Sequence, residues 1–248
     1  MRFAYDLDIF YEVGITIPIN LDLDSHPHAL LTGGSGSGKS YSLLYLLGQM
    51  MKSYPNIVVY FCDFKNSDDF NFLSTYPHYY SGDDCYNGII SYYNEFVKAR
   101  KTNQHTTRYV LICDEYPSFI NYLQMQDKLH KTKKATDILS TISELLMLGR
   151  GLNFGIWLVT QRADNTLFAN GSRDNFMIII ALGRLSREQK GMLFAGEDLP
   201  EYIYQKGEGI LYADGEPIRS VKFPYIENIE NLKKHIIDIL LKKIKYLS

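Results

Sequence analysis

The stretch Leu31-Thr-Gly-Gly-Ser-Gly-Ser-Gly-Lys-Ser40 decides how this chain of 248 residues is interpreted. It fits the pattern G-x-x-x-x-G-K-[ST] between Gly33 and Ser40, after an apolar run and before a helical pattern. Glycines allow backbone N–H groups to curl around phosphates, and the N-terminus of the following helix favours an anion. The stretch therefore predicts a strand, a phosphate-binding loop and a helix, with a nucleoside triphosphate as the ligand.

Two residues at the end of this loop have side chains suited to an ATP site. We expect the Lys39 ammonium to reach the β- and γ-phosphates and the Ser40 hydroxyl to ligate Mg²⁺. ATP and Mg²⁺ are therefore the expected cofactors, and the alternative is a flexible Gly/Ser turn without a ligand. The predicted nucleotide-binding residues are Gly33, Gly34, Ser35, Gly36, Ser37, Gly38, Lys39, Ser40 and Tyr41.

The composition limits the class of protein. A formal net charge of −2 argues against a strongly basic DNA-coating protein but leaves room for a local basic patch. The three cysteines, Cys62, Cys85 and Cys113, form no C-x-x-C pair, which predicts reduced, buried thiols and a cytosolic setting. The chain begins without a signal-peptide pattern, and no apolar run approaches about 18 residues. We therefore expect a cytoplasmic protein without a transmembrane segment of its own.

Four apolar runs predict a parallel sheet. They cover residues 57–62, 109–113, 156–159 and 176–182, and each ends at polar residues. Unbroken apolar runs are typical of strands that are buried on both faces. Helical stretches near 84–103 and 135–149 separate the runs. The alternation predicts one α/β domain over residues 1–248, with a doubly wound sheet that binds ligands at the carboxyl ends of its strands.

The two ends of the chain differ from this pattern. Residues 1–24 are predicted to be extended, with Pro18 on an edge strand. The last segment, 226–247, predicts an amphipathic helix that packs on the domain through its apolar side or binds a membrane-anchored partner through its basic side. A short helix and a closing hairpin are predicted at residues 186–194, 207–212 and 219–223.

An acidic pair follows the apolar run 109–113. Hydrolysis of ATP needs a carboxylate near Mg²⁺ and a base that orients the attacking water. Asp114 suits the first role and Glu115 the second, and a solvated acidic turn is the alternative. Gln161, at the end of a later apolar run, would contact water or the γ-phosphate as a sensor, or it is a polar loop residue.

Three arginines compete for one further role. Arg150 follows a helical stretch, where a cation favours the helix C-terminus. Alternatively, Arg150 acts in a neighbouring subunit as an arginine finger that stabilises the transferring phosphate. Arg162 and Arg184 are candidates for the same role, and local sequence does not separate the three.

Other charged residues have more than one interpretation. Asp63 and Lys65 face the nucleotide, line a path for the substrate, or form a solvated turn. The lysine-rich stretch 128–134 is a solvated face or a loop that follows DNA phosphates by charge alone. His28 precedes a buried strand, where a histidine is more often a packing or hydrogen-bonding residue than a ligand. No set of histidines and cysteines has the spacing of a metal site.

Read in order, these motifs resemble those of the FtsK/SpoIIIE-HerA group of RecA-like motor ATPases. The phosphate-binding loop alone is unspecific, whereas the Pro-His prefix, the Asp-x-Lys and the Thr-Gln-Arg are specific together. The match spans about residues 15–224. Its segments are Ile17–Leu21, Pro27-His28 with the loop after it, Asp63-Phe-Lys65, Asp114-Glu115, Gly149–Arg162 and Gly207–Tyr212.

The resemblance implies a RecA-like fold and ATP-driven movement of double-stranded DNA through a homo-hexameric ring. It puts Arg150 in the position of the finger that acts in the neighbouring subunit, and Gln161 in the position of the sensor. The group also includes conjugation coupling proteins and the ATPases of type VII protein secretion.

The chain departs from the chromosomal members of the group. Only about 24 residues follow residue 224, too few for a winged-helix domain, and no membrane-spanning N-terminus is expected. Asp63-Phe-Lys65 also lacks the usual proline. We therefore predict a bare DNA translocase motor that serves a plasmid, phage or integrative element and borrows a membrane anchor or specificity factor from a partner. The alternative is an ATPase that moves or assembles proteins and does not bind DNA.

Overall fold

The structure, a computed structural model, describes residues 1–102, 106–163 and 174–247. The strands in these ranges are β1 (Arg2–Asp6), β2 (Pro18–Asn20), β3 (Ala29–Gly33), β4 (Ile57–Asp63), β5 (Tyr79–Ser81), β6 (Arg108–Asp114), β7 (Phe154–Thr160), β8 (Ile178–Leu182), β9 (Glu208–Ala213) and β10 (Arg219–Lys222). The helices are α1 (Leu7–Val13), α2 (Lys39–Ser53), α3 (Cys85–Thr102), α4 (Tyr116–His130), α5 (Lys134–Leu148), α6 (Arg187–Leu193) and α7 (Ile229–Leu247).

The described strands form one sheet in the order β2-β1-β10-β9-β8-β3-β7-β6-β4-β5. The run from β8 to β5 is parallel, and the remaining strands extend it in antiparallel fashion. β7 lies between β3, which leads into the phosphate-binding loop, and β6, which ends in the acidic pair. The predicted α/β fold with a mainly parallel sheet and peripheral antiparallel strands is confirmed.

Helices cover both faces of the parallel strands, which explains their unbroken apolar sequences. Helices α2 and α7 enclose one core, and α3, α4 and α5 enclose the other. Within α7, Ile236 and Leu240 are fully buried, and Leu232 lies over Gly48 of α2. Burial of each such side chain stabilises the fold by about 1.5–3 kcal/mol. The apolar side of α7 therefore packs on the domain.

None of the helices in the described ranges combines the length and the apolar character needed to cross a membrane. All three cysteines are free and buried, as predicted.

Two helices differ from the sequence-based expectation. The prediction of an extended segment over residues 1–24 is wrong for α1, which begins after Asp6 and ends at Gly14. The Asp6 carboxylate accepts a hydrogen bond from the Ile9 amide, and Gly14 adopts a left-handed φ of 71°, so caps at both ends define this helix. Helix α4 was not predicted. Its Pro117 lies in the first turn, where proline is tolerated.

The expectations for the edge strand and the hairpin are confirmed. β2, which begins at Pro18, lies at one end of the sheet. β9 and β10 pair in antiparallel fashion, with Ser220 opposite Ile210. The short helix α6 is present and has a complete capping box between Ser186 and Gln189.

His28 connects the first buried strand to its neighbours. Its side chain is fully buried, and its Nδ1 accepts a hydrogen bond of 3.1 Å from the Ile156 amide. Burial, followed by the nearby charge of Arg150, lowers the pKa of His28 to about 4. The ring is therefore a neutral hydrogen-bond acceptor, in agreement with the packing role expected from sequence.

We expect this histidine to make stability depend on pH. The pKa of His28 is lower in the folded than in the unfolded chain, so the unfolded chain binds the extra proton between pH 6.5 and pH 4. The contribution of His28 to stability is complete above pH 6.5 and falls by about 3 kcal/mol as the pH falls to 4. The raised pKa of Asp114 acts in the opposite direction over this range, so the effect of His28 is the difference between wild type and His28→Asn in denaturant unfolding. His235→Asn, an exposed control, should keep the wild-type pH dependence; an unchanged pH dependence in the His28 variant would contradict the assignment.

Candidate active site

The loop from Gly33 to Gly38 joins β3 to α2 and has the strand–loop–helix geometry expected of a phosphate-binding loop. Gly36 and Gly38 have left-handed φ angles of 78° and 99°. A Cβ atom on Gly38 would lie 3.0 Å from the Gly207 amide nitrogen. Glycine is thus required at position 38 both by conformation and by space.

Lys39 is the first residue of α2 and turns back over the loop. Its Nζ donates to the carbonyl oxygen of Gly33 at 2.6 Å and to that of Gly34 at 3.3 Å. Burial lowers the pKa of Lys39, while Glu115 and Asp114 act in the opposite direction. The ammonium is therefore held inside the loop and close to the acidic pair.

The start of β9 packs against this loop and is hydrogen-bonded to it. The Gly207 amide donates to the Ser37 carbonyl oxygen at 2.8 Å, and the Gly183 amide donates to the Glu208 carbonyl oxygen at 2.8 Å. A Cβ atom on Gly209 would lie 2.1 Å from the Ala181 carbonyl oxygen. From sequence, the Gly-x-Gly segment was noted only because it resembles a family motif. The structure gives a physical reason for the motif, because its backbone lies close to the loop and to β8.

Asp114 and Glu115 lie at the carboxyl end of β6, and only 9% and 8% of their surfaces are exposed. Burial, followed by the charges of Glu115 and Asp63, raises the pKa of Asp114 to about 7. Glu115 has a left-handed φ of 54° and forms the N-cap of α4. Its strained backbone turns the chain between the strand and the helix.

The carboxylate of Asp114 and the hydroxyl of Ser40 line the same cavity. Both are hard oxygen ligands of the kind that Mg²⁺ prefers, and Mg²⁺ commonly takes one or two protein ligands together with water and substrate phosphates. A cation would also compensate the crowded carboxylates that raise the pKa of Asp114. The residues fit Mg²⁺, although in the described ranges no three or more His, Cys, Asp or Glu side chains form a metal cage.

The side chain of Glu115 is held by two donors. Its Oε1 lies 2.8 Å from Lys65 Nζ and accepts a 2.9 Å hydrogen bond from Gln161 Nε2. Gln161 follows β7, and the position of β7 between β3 and β6 brings this amide to the acidic pair. Lys65 therefore faces the cavity, which is one of the interpretations left open by sequence.

Asp63 anchors the turn that carries Lys65. Its buried Oδ2 accepts hydrogen bonds from the amide and the hydroxyl of Ser67 and from the hydroxyl of Tyr79. Asn66, within the turn, has a left-handed φ of 52°. Asp63 thus has a structural role, and Lys65 is presented at a defined place.

These residues surround a cavity of about 620 Å³, a volume within the range of small-molecule sites. Tyr41 lines it and accepts a hydrogen bond from the Ile226 amide through its hydroxyl. The predicted loop residues Gly33, Gly34 and Ser37 shape the loop but are not among the lining residues. The lining residues are Ser35, Gly36, Gly38, Lys39, Ser40, Tyr41, Leu44, Lys65, Ser67, Asp69, Asp114, Glu115, Gln161, Lys206, Ile229, Glu230 and Lys233.

Sequence reasoning missed the contributions of Lys206 and of the first turn of α7 to this cavity. Lys206 immediately precedes the Gly-x-Gly segment, which was a usable signal. Ile229, Glu230 and Lys233 carry no motif. They reach the cavity only because α7 packs along α2.

Arg150 is exposed and lies far from this cavity. It is in a short 3-10 turn, Gly149–Leu152, at the amino end of β7, whereas the cavity lies at the carboxyl end. The seven residues of β7 separate the two ends by about 20 Å. Of the other candidates, Arg162 pairs with Glu188, and Arg184 lines a second cavity with Lys190 and residues 202–204.

The fold and the site together define a RecA-like P-loop ATPase. Residues 4–111 match the sequence model of the FtsK/SpoIIIE family.

Individual relatives agree with this assignment. The FtsK domain-containing protein YdcQ of Bacillus subtilis is 26% identical over 214 residues, which are 79% of this chain and 42% of YdcQ. The structure resembles ATPases 2 and 3 of EssC from Geobacillus thermodenitrificans with a TM-score of 0.71 at 12% identity, over 99% of this chain and 49% of that one. It also resembles the pCW3 conjugation coupling protein TcpA with a TM-score of 0.69 at 20% identity, over 90% and 67%. The chain thus spans about half or less of YdcQ and of the EssC chain.

Proposed function

We propose that this chain is an ATP-driven DNA translocase motor that serves the transfer or maintenance of a mobile element. The observation that carries the ATP-hydrolysing part is the convergence of Lys39, Asp114, Glu115 and Gln161 on one cavity. These residues come from three different strand ends, and they combine a cation, a metal-binding oxygen, a base and an amide. This is the set of groups that hydrolysis of a γ-phosphate requires.

Each residue has a distinct role in this proposal. Lys39 holds the phosphates with the loop amides, and Ser40 and Asp114 hold the metal. Bound Mg²⁺ would neutralise charge that develops on the phosphates. Glu115 accepts a proton from the attacking water, and Gln161 orients that water or the γ-phosphate.

The proposal includes a ring, in which the homo-hexamer is the expected form. Among the residues that the structure describes, those lining the cavity include lysines but no arginine. Arg150 is exposed at the opposite end of β7, so it is available to a neighbouring copy and out of reach of its own cavity. A head-to-tail arrangement of copies would bring Arg150 to the next active site and close into a ring.

A basic feature supports DNA as the substrate. The basic tip, residues 128–134 between α4 and α5, carries four exposed lysines. Asp127 accepts hydrogen bonds from the backbone amides of Lys134 and Ala135, so the tip is a capped turn and not a loose loop. Clustered lysines bind DNA phosphates without sequence preference.

The basic tip is also mechanically connected to the active site. Helix α4 begins at Glu115 and ends at the tip. The ring of Phe64, next to Lys65, packs on Phe119 and Tyr122 of this helix at centroid distances of 5.5 and 5.4 Å. Movement of α4 by a bound substrate would therefore reach Glu115 and Lys65 together.

DNA binding and DNA-stimulated ATPase activity test the proposal. We expect double-stranded DNA to stimulate hydrolysis in proportion to oligomer formation, and added salt to weaken DNA binding. The double variant Lys131→Ala/Lys133→Ala should lower the slope of log affinity against log salt by roughly 2 units, since each lysine contact contributes about 0.9. The control Lys98→Ala/Lys101→Ala, on α3, should keep the wild-type slope. Equal slopes for the two variants would contradict a role for the tip.

A protein substrate is the second candidate. The side chains of Tyr11, Tyr202 and Ile203 are exposed, the last by 98%, and the rings of Tyr11 and Tyr202 lie 6.1 Å apart. Exposed apolar groups of this kind suit a peptide, and similar structures include type VII secretion ATPases. Hydrolysis that depends on Lys39 but ignores DNA would favour this function. In either case we propose a cytoplasmic motor that a membrane-anchored partner recruits.

A further inference from the structure

Lys65 and Glu115 form the ion pair at the centre of this inference, which rests on the ATP site proposed above. The contact of 2.8 Å joins a glutamate that is 10% exposed at its side chain to a lysine that is 46% exposed. The carboxylate is thus confined, whereas the ammonium has room to move on a flexible four-carbon stem.

The pair and the proposed role of Glu115 compete for the same atom. Oε1 of Glu115 accepts both the Lys65 ammonium and the Gln161 amide. These two donors fill the acceptor positions of Oε1, so a water molecule reaches this oxygen only when one of them leaves. The Lys65 ammonium, on its exposed stem, is the donor that is free to move.

Lys65 also lies where an anion would draw it away. It lines the same cavity as Lys39, and the two ammonium groups are close enough that the charge of Lys65 lowers the pKa of Lys39. The turn that presents Lys65 is fixed at its base by Asp63. A γ-phosphate between these lysines would bring more negative charge than the single carboxylate of Glu115.

We infer that Lys65 is a second phosphate-binding cation that exchanges partners, leaving Glu115 for the γ-phosphate of bound ATP. The exchange makes and breaks only ion pairs. No proton is transferred and no covalent bond changes, and Oε1 of Glu115 is left with an open position for a water molecule. The same movement places a positive charge on the phosphate that is to be transferred.

The inference predicts that Lys65 distinguishes a triphosphate from a diphosphate. ADP lacks the phosphate that would attract Lys65, so its affinity should not depend on this residue. Loss of the Lys65 ammonium should weaken the binding of ATPγS by about tenfold or more, since a hydrogen bond to a charged group contributes about 1.5–3 kcal/mol.

Equilibrium binding of ATPγS and ADP to the full chain, measured by calorimetry with Mg²⁺ present, tests this. Lys65→Met should bind ATPγS about tenfold more weakly and ADP within about twofold of wild type. Lys65→Arg should restore the difference because it keeps the charge, and Lys52→Met, at the far end of α2, should match wild type. Thermal unfolding of each variant checks its folding, and Lys65→Gln provides a second neutral variant.

Three results would overturn the inference. Undiminished preference for ATPγS in Lys65→Met and Lys65→Gln would mean that Lys65 does not reach the γ-phosphate. Equal weakening of both nucleotides would mean a general electrostatic effect. Faster hydrolysis in Lys65→Met with unchanged binding would mean that Lys65 only restrains Glu115. Failure of the wild-type chain to bind either nucleotide would instead overturn the proposed ATP site, and this inference with it.

Discussion

Glu115→Gln is expected to lower ATP hydrolysis by about 10³-fold, the contribution typical of a positioned general base. Glutamine keeps the shape of the side chain and an oxygen that can accept from Gln161 Nε2, but it takes no proton from water. The proposed contacts of Lys39 and Ser40 to the nucleotide do not involve this group, so ATP binding should remain. Steady-state hydrolysis and equilibrium ATPγS binding measure the two effects separately.

Glu216→Gln provides the matched control for this variant. Glu216 is an exposed carboxylate that pairs with Arg219 at 3.4 Å on the distant hairpin. We expect its hydrolysis rate to equal that of wild type. If Glu115→Gln hydrolysed ATP at the wild-type rate, the base would have to be another group, and Glu115 would be only the N-cap of α4.

Arg150→Ala is expected to lower the hydrolysis rate of the assembled protein by about 10³-fold or more, as an arginine finger does. Its position at the amino end of β7 is remote from its own cavity, so the expected effect is one between subunits of the proposed ring. ATP binding by the isolated chain should be unaffected. Arg162→Ala and Arg184→Ala, which change the competing arginines, should keep most of the activity.

Mixing two inactive variants distinguishes action between subunits from a local structural effect. A Lys39→Ala subunit has a damaged loop but supplies an intact Arg150, whereas an Arg150→Ala subunit has an intact loop. In an equal mixture, about a quarter of head-to-tail interfaces combine the two intact parts. Activity that reappears on mixing supports the finger role, and a mixture as inactive as its components would count against it.

Local sequence patterns were enough to predict those parts of the fold for which the sequence allows few conformations. The run Gly33–Ser40 predicts its loop because glycine at position 38 is needed for both a left-handed φ and close contact with Gly207. The buried parallel strands follow from unbroken apolar runs. The edge position of β2 follows from Pro18. The resemblance to the FtsK/SpoIIIE family and the class of ATPase were also predicted correctly from the order of the motifs.

Local sequence patterns predicted secondary structure less well where helix-capping residues lie next to a stretch of alternating apolar residues. Helix α1 was missed because the alternating residues Ile15, Ile17 and Ile19 suggested one continuous extended segment, whereas Asp6 and Gly14 cap a helix before them. Helix α4, with Pro117 in its first turn, was also not predicted. Helix α1 depends on which donors and acceptors are satisfied locally, and hydrophobic spacing does not report that.

Four of the residues that line the cavity were recognisable from sequence: Asp114, Glu115 and Gln161 lie at the ends of apolar runs, and Lys39 belongs to the loop motif. Only the tertiary structure decided which of them meet. Strand order places β6 between β7 and β4, and this brings Gln161 and Lys65 to the same oxygen of Glu115. It also directs Arg150 to the opposite edge of the sheet and brings the first turn of α7 to the cavity. The reason is that spacing along a chain specifies the direction and burial of each element, whereas contacts between elements depend on their order in space.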